Sequence, residues 1–264
     1  MKKILTIAAL VYMLGAQAQT KEGKVIYERT MTMPVRSFGN MPAELQAQMA
    51  KPRTDQYELL FTQQHSLYQF LPNAVDEGGG TFSGGGVTIQ VRGGANDITY
   101  TDFEKGTRVD QREIMEKSFV VADTLTKLQW KLSDETKNIL NFTARKATAT
   151  TVNPRSRMTM ENGEMKREMI SDTVNVVAWY APDVPVPAGP NYAGQLPGLI
   201  LEINVNNGQS VTKAIGFSPK VAVNKIKEPK DGKKLTAAEF TKEREKLMEE
   251  MRKNMPAGNM IRMN

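Results

Sequence analysis

A chain of 264 residues, 40% hydrophobic and 24% charged, can bury a sizeable core in one large or two small domains; it fits neither disorder nor a polytopic membrane protein. Its 35 Lys and Arg against 29 Asp and Glu leave a formal charge of +6, with no basic stripe interleaved with aromatics, so nucleic-acid binding is unsupported. With no cysteine and one histidine, the chain has no disulfide, no thiol nucleophile and no zinc site of ordinary composition.

Residues 1–18 read as a cleaved secretory signal. Lys2 and Lys3 supply the positive start, 4–14 the apolar run and Ala16-Gln17-Ala18 the small-residue cleavage site, leaving Gln19 as the mature N-terminus. The apolar run is about half the roughly 20 residues that a bilayer span needs. A lipid anchor would need a cysteine at the cleavage site. The expected product is exported, periplasmic or outer-membrane-associated or extracellular, and has no transmembrane segment. Loss of the two lysines lowers the formal charge from +6 to +4.

In the mature chain, 24–33 predicts a first strand with Val25, Tyr27, Met31 and Met33 on one face, interrupted by Arg29. A short surface helix is expected over 42–50, where Leu45 and Met49 are spaced four apart. Strands at 56–62 and 66–71 form a hairpin around 63–65. Residues 76–94 are glycine-rich, but their spacing matches neither a P-loop nor a dinucleotide fingerprint, so they predict a loop enclosing a brief strand with Val87, Ile89 and Val91.

Strands follow at 96–103 and 106–115. Over 127–132, alternation of Leu128, Trp130 and Leu132 with Lys127, Gln129 and Lys131 predicts an amphipathic strand that buries Trp130. A threonine-rich strand covers 147–152. Asn162-Gly163 centres a projecting, solvated hairpin over 155–169. Residues 173–180 form a strand that delivers Trp179 and Tyr180 to a connection holding Pro182, Pro185, Pro187, Pro190 and Pro197, which is neither helix nor central strand. In the strand beyond it, Leu199, Leu201, Ile203 and Val205 share one face, with Ile200, Glu202 and Asn204 on the other. Asn206-Asn207-Gly208 turns it back into 210–217. Past a basic linker, Thr236 and Glu239 form a capping box, and Phe240, Leu247, Met251 and Met255 make a narrow apolar stripe on a helix.

Two patches resemble the GLPGLI family of Bacteroidetes secreted proteins: Leu196-Pro197-Gly198-Leu199-Ile200 after Ala178-Trp179-Tyr180, and Leu128-Gln129-Trp130-Lys131-Leu132 before Glu135-Thr136-Lys137. The initial glycine of the family's motif is displaced, because Gln195 stands between Gly194 and Leu196. Family members often carry a cysteine near Thr143 or Ala144, and this chain does not. The resemblance implies export and no established activity.

Chemistry-bearing residues are sparse. His65, the only histidine, falls at a turn with no Gly-x-Ser-x-Gly elbow in the chain, so no catalytic residue is assigned; a hydrolase is the weakest of three readings. Asp102 with Glu104, and Glu161 with Glu164, read as solvated carboxylates. The 16 methionines include Met158, Met160, Met165 and Met169, whose soft thioethers suit Cu(I) and make a Met-rich copper-binding protein the alternative, although packing or an adaptable binding surface is the favoured reading of them.

The sequence therefore predicts a mainly β (β-rich α+β) protein: a signal at 1–18, a curved antiparallel sheet or half-barrel over 19–224, and a basic linker and charged C-terminal helix over 225–264. The leading functional expectation is a non-enzymatic envelope protein without a cofactor. It would bind an apolar or peptide ligand, or an outer-membrane protein, through Trp179, Tyr180, Pro187, Pro190, Tyr192, Leu196, Pro197 and Trp130.

Overall fold

The computed structural model describes residues 20–32, 43–72, 79–84, 87–92, 97–161 and 164–254. The expected signal peptide, the Asn162-Gly163 turn and Met255 lie outside these residues.

Strands β1 (Gly23–Met31), β2 (Arg53–Phe61) and β3 (His65–Leu71) follow the predicted pattern, with helix α1 (Ala43–Met49) between the first two. The glycine-rich segment departs from expectation. Instead of a loop around one strand, it forms a separate two-stranded ribbon of β4 (Gly79–Gly84) and β5 (Val87–Arg92), paired from Gly79↔Arg92 to Gly84↔Val87. Glycine does not prevent pairing where both strands satisfy each other's backbone groups.

The remaining strands are β6 (Ile98–Asp102), β7 (Thr107–Ile114), β8 (Lys117–Thr124), β9 (Lys131–Ile139), β10 (Phe142–Glu161), β11 (Glu164–Ala181), β12 (Leu199–Val205), β13 (Ser210–Ser218) and β14 (Lys233–Thr236), before helix α2 (Ala237–Asn254). All but β4 and β5 join one open, curved twelve-stranded sheet in the order β14-β8-β7-β6-β3-β2-β1-β13-β12-β11-β10-β9. Every pairing in it is antiparallel except β14 with β8. This is the mainly β fold with a C-terminal helix that the sequence predicts. The edges are guarded: β14 has four residues, and β9 carries Lys131, Asp134, Glu135 and Lys137.

Alternation along the strands builds two apolar layers. On the inner face, Val25, Tyr27, Leu59 and Phe61 are fully buried and pack with Val184, Val186 and Ala188 from the proline-rich connection. On the other face, Leu60, Leu67 and Tyr100 are covered by Val221 and Ile226 of the segment after β13. The predicted capping box is present: the Thr236 amide donates to Glu239 Oε2 at 2.8 Å and the Glu239 amide to Thr236 Oγ1 at 3.3 Å. It orients α2 so that Phe240 and Leu247 pack on Phe119 and Val121.

Strand β10 pairs with β11 from Arg145↔Tyr180 to Glu161↔Glu164, whereas β12 accompanies β11 only over 176–181. The distal ribbon therefore extends beyond its neighbours, as the sequence predicts. Its register sets Met160 opposite Met165, Met158 opposite Arg167 and Ser156 opposite Met169.

Asp102 corrects an expectation. It is 4% exposed rather than solvated, because it caps the β6–β7 turn and accepts from the amides of Glu104 at 3.1 Å and Lys105 at 2.9 Å. Lys105 Nζ lies 2.9 Å and His65 Nε2 3.6 Å from its Oδ2. The Lys105 amide, with the neighbouring Lys105 and His65 side chains, holds its carboxyl below the usual aspartate range. Folding thus favours the ionised form, so its contribution is complete above the ordinary aspartate pKa of about 3.9 and is lost as pH falls through the lowered value. Asp102→Asn should melt below wild type at neutral pH, and the gap should narrow as the pH falls below the ordinary aspartate value of about 3.9; a gap independent of pH would contradict the assignment.

Candidate functional site

The proline-rich connection, residues 182–198, is folded back on itself rather than extended. Val186 N bonds Val184 O and Ala188 N bonds Val186 O, both at 2.7 Å. These two consecutive three-residue turns are centred on Pro185 and Pro187, whose ring-fixed φ lies near what an inverse γ-turn needs. A third short turn, Tyr192 N to Pro190 O at 2.6 Å, closes around Asn191, whose φ of 59° is one that Asn tolerates better than most residues.

The connection is locked to β12 at a bulge. Between Trp179 and Tyr180 the register slips, so that Trp179 pairs with Glu202 but Tyr180 with Ile200. Up to the extra residue the expected alternation holds, with Leu199 and Leu201 in one cluster and the fully buried Ile200 in the other. Past it, Ile203 and Val205, predicted to share the face of Leu199 and Leu201, pack instead with Ile200, Tyr180 and Leu196. The connection and β1 satisfy the backbone groups freed there: Ile200 N donates to Ala188 O at 2.9 Å, and Tyr27 Oη donates to Ile200 O at 2.6 Å. Burial pushes the Tyr27 hydroxyl's pKa well up, which keeps it a neutral donor.

Trp130 also departs from expectation. It lies ahead of β9, not inside a strand, and Leu132 is 55% exposed. What holds Trp130 is Gln195: its Oε1 accepts from Trp130 Nε1 at 2.9 Å and from the Leu128 amide at 3.0 Å. Trp130 in turn meets Tyr192 edge to face, with ring centroids 5.5 Å apart. Gln195, the residue that displaces the motif's glycine, thus pins 125–130 to the connection. Gln195→Ala should cost about 1–3 kcal/mol by leaving both donors unpartnered and shift Trp130 emission to the red. An unchanged melting temperature and emission would show that the pin is dispensable.

These segments enclose a cleft of about 360 Å³ bordered by Arg108, Asp123, Thr151, Asn191, Tyr192 and Gln195. Within its lining Arg108 Nε donates to Asp110 at 2.9 Å, and Asp110 also accepts from Thr99 Oγ1 at 2.7 Å. The carboxylate and guanidinium neutralise each other there. Tyr192 has its hydroxyl pKa raised by burial and remains a donor at neutral pH.

The eight residues singled out from the sequence are divided by the structure. Tyr192 borders the cleft, and Trp130 and the buried Leu196 and Tyr180 support it from the same cluster. Pro187 and Pro190 shape the connection, and Pro197 is exposed. Trp179 packs with the other cluster, under Lys137, whose Nζ lies 4.4 Å from the indole and 2.6 Å from Glu202 Oε1. Sequence reasoning missed Arg108, Asp110, Asp123, Thr151, Asn191 and Gln195. Only Gln195 carried a signal, as the interruption of a motif.

His65 stacks on Tyr100 at 5.6 Å and faces Asp102. Among the described residues no group of three or more His, Cys, Asp or Glu could hold a metal ion, and no helix is long and apolar enough to cross a membrane. The side chains of Met158, Met160, Met165 and Met169 lie outside the description.

No curated protein matches the chain. PNGF-II in its P21 crystal form shares 14% identity at a TM-score of 0.50, over 84% of this chain and 32% of that one; its C2 form gives 0.49 at the same identity and coverage. This chain therefore spans about a third of PNGF-II, and the likeness is one of fold. An uncharacterized conserved protein from Thermus thermophilus aligns over 82% of this chain and 91% of its own, at 7% identity and a TM-score of 0.36. Residues 130–202, which run from Trp130 through the proline-rich connection into β12, match the family described as a protein of unknown function (Porph_ging).

Proposed function

We propose that the chain is an exported, non-enzymatic binding protein of the cell envelope, of the GLPGLI type, whose site is the cleft between 125–128, 191–195 and β7. One observation carries this reading: a cleft of about 360 Å³ walled by a connection whose turns, bulge contacts and Gln195 pin hold it in one shape. A preformed site avoids the cost of ordering its walls when a ligand arrives.

Carriage of an apolar ligand inside the half-barrel is disfavoured. Val184, Val186 and Ala188 already fill the inner face, each at most 1% exposed. The ligand is polar and is held at the mouth. To test this, isotope-labelled mature protein is titrated with an extract of its own envelope and amide shifts are mapped by NMR. Shifts grouped on Arg108, Thr124 to Leu128 and Asn191 to Gln195 are expected. Shifts confined to other surfaces, or none at all, would overturn the reading.

A further inference from the structure

We propose that the cleft takes a neutral, hydroxyl-rich ligand of mono- to disaccharide size, an assignment that rests on the binding reading above. The first ground is charge. Arg108 is compensated by Asp110, and Asp123 also borders the cleft, so no unpaired cation is left for a phosphate or carboxylate. The charge left over in the lining is the Asp123 carboxylate, which ligand hydroxyls can donate to. A neutral molecule needs no unpaired cation in the site.

The second ground is hydrogen-bonding capacity. Among the described residues the Asn191 amide and the Tyr192, Thr126 and Thr151 hydroxyls border the cleft without a hydrogen-bond partner. Each can both donate and accept, and Asp123 adds an acceptor. Ligand hydroxyls, which also do both, match this set better than groups that only accept or only donate.

Third, backbone pairing is closed to a peptide along β7, which is flanked by β6 and β8. A peptide would have to bind through side chains alone, without the main-chain ladder that usually gives such complexes their affinity. The volume lies near the lower end of the roughly 300–1,000 Å³ of small-molecule sites. Tyr192, braced by Trp130, supplies one apolar ring beside these polar groups, as such sites commonly do.

The test is calorimetric and saturation-transfer NMR titration of the mature full chain. Maltose, cellobiose, N-acetylglucosamine and myo-inositol are the hydroxyl-rich probes; triglycine, inorganic phosphate and octanoate are the contrasts. At least one hydroxyl-rich probe should saturate at one site. Its affinity should fall about tenfold in Asn191→Gly, which keeps the positive φ, and in Tyr192→Phe, which keeps the ring packing, with melting temperatures unchanged. Saturation by a contrast probe alone overturns the ligand class and leaves the cleft a binding site. So does the absence of any saturation while the envelope extract still shifts the cleft amides. Hydroxyl-rich binding that both variants leave intact places the ligand elsewhere and overturns the assignment.

Discussion

Gly198→Ala is expected to cost about 3 kcal/mol or more, a large value for adding one methyl group. A Cβ at 198 would lie 2.3 Å from the Ala181 carbonyl oxygen and 2.9 Å from its carbon, with Tyr180 Cδ2 at 3.2 Å. The first two are backbone atoms of the last residue of β11, so no rotamer change relieves the overlap. Either the connection or β11 must move, and the bulge that depends on their spacing moves with it. The melting temperature should fall by roughly 6–12 °C. Gly216→Ala is the control: its Cβ meets nothing closer than Ile26 Cβ at 3.8 Å, and the change should be neutral or slightly stabilising. Equal melting temperatures for the two variants would show that the close approach at 198 can relax.

Tyr27→Phe should cost about 1–3 kcal/mol, because it leaves the Ile200 carbonyl buried without its donor. The hydroxyl links residue 27 of the first strand to residue 200 at the bulge, both fully buried and far from water that could substitute. Ring packing on Tyr68, at 6.2 Å, is kept, so the loss isolates the hydrogen bond. Chemical denaturation of the two proteins measures it. A shifted midpoint with an unchanged slope is expected, and identical midpoints would show that the carbonyl finds another partner.

The two variants also separate stability from the cleft. Neither residue borders it, yet both secure the connection that forms its wall. Ligand affinity at temperatures well below melting should be weakened in Gly198→Ala, where the backbone shifts, and preserved in Tyr27→Phe, where the geometry remains.

Much of the architecture was legible in the chain. Alternation at Tyr57, Leu59 and Phe61 marked β2, and the proline spacing marked a stiff connection. Thr236 with Glu239 marked the start of α2 because a capping box is a contact between residues three apart. The same local logic misplaced Trp130 and Ile203. Alternation in Lys127 to Leu132 suggested a strand, but the side chain of Gln195, 65 residues away, captures the indole. Alternation after Leu199 put Ile203 on the face of Leu199 and Leu201, but the bulge carries it to the face of Ile200.

By itself the sequence determined the strand-rich fold, the stiffness of the connection and the capped C-terminal helix, since each depends on periods of two to four residues or on the fixed φ of proline. Only the tertiary structure decided the strand order, the bulge at Ile200 and the grouping of Arg108, Asp123, Thr151, Asn191, Tyr192 and Gln195 around one cleft. Those features rest on contacts between residues tens of positions apart, and side-chain identity alone carries no record of which distant partner will satisfy a given carbonyl or amide.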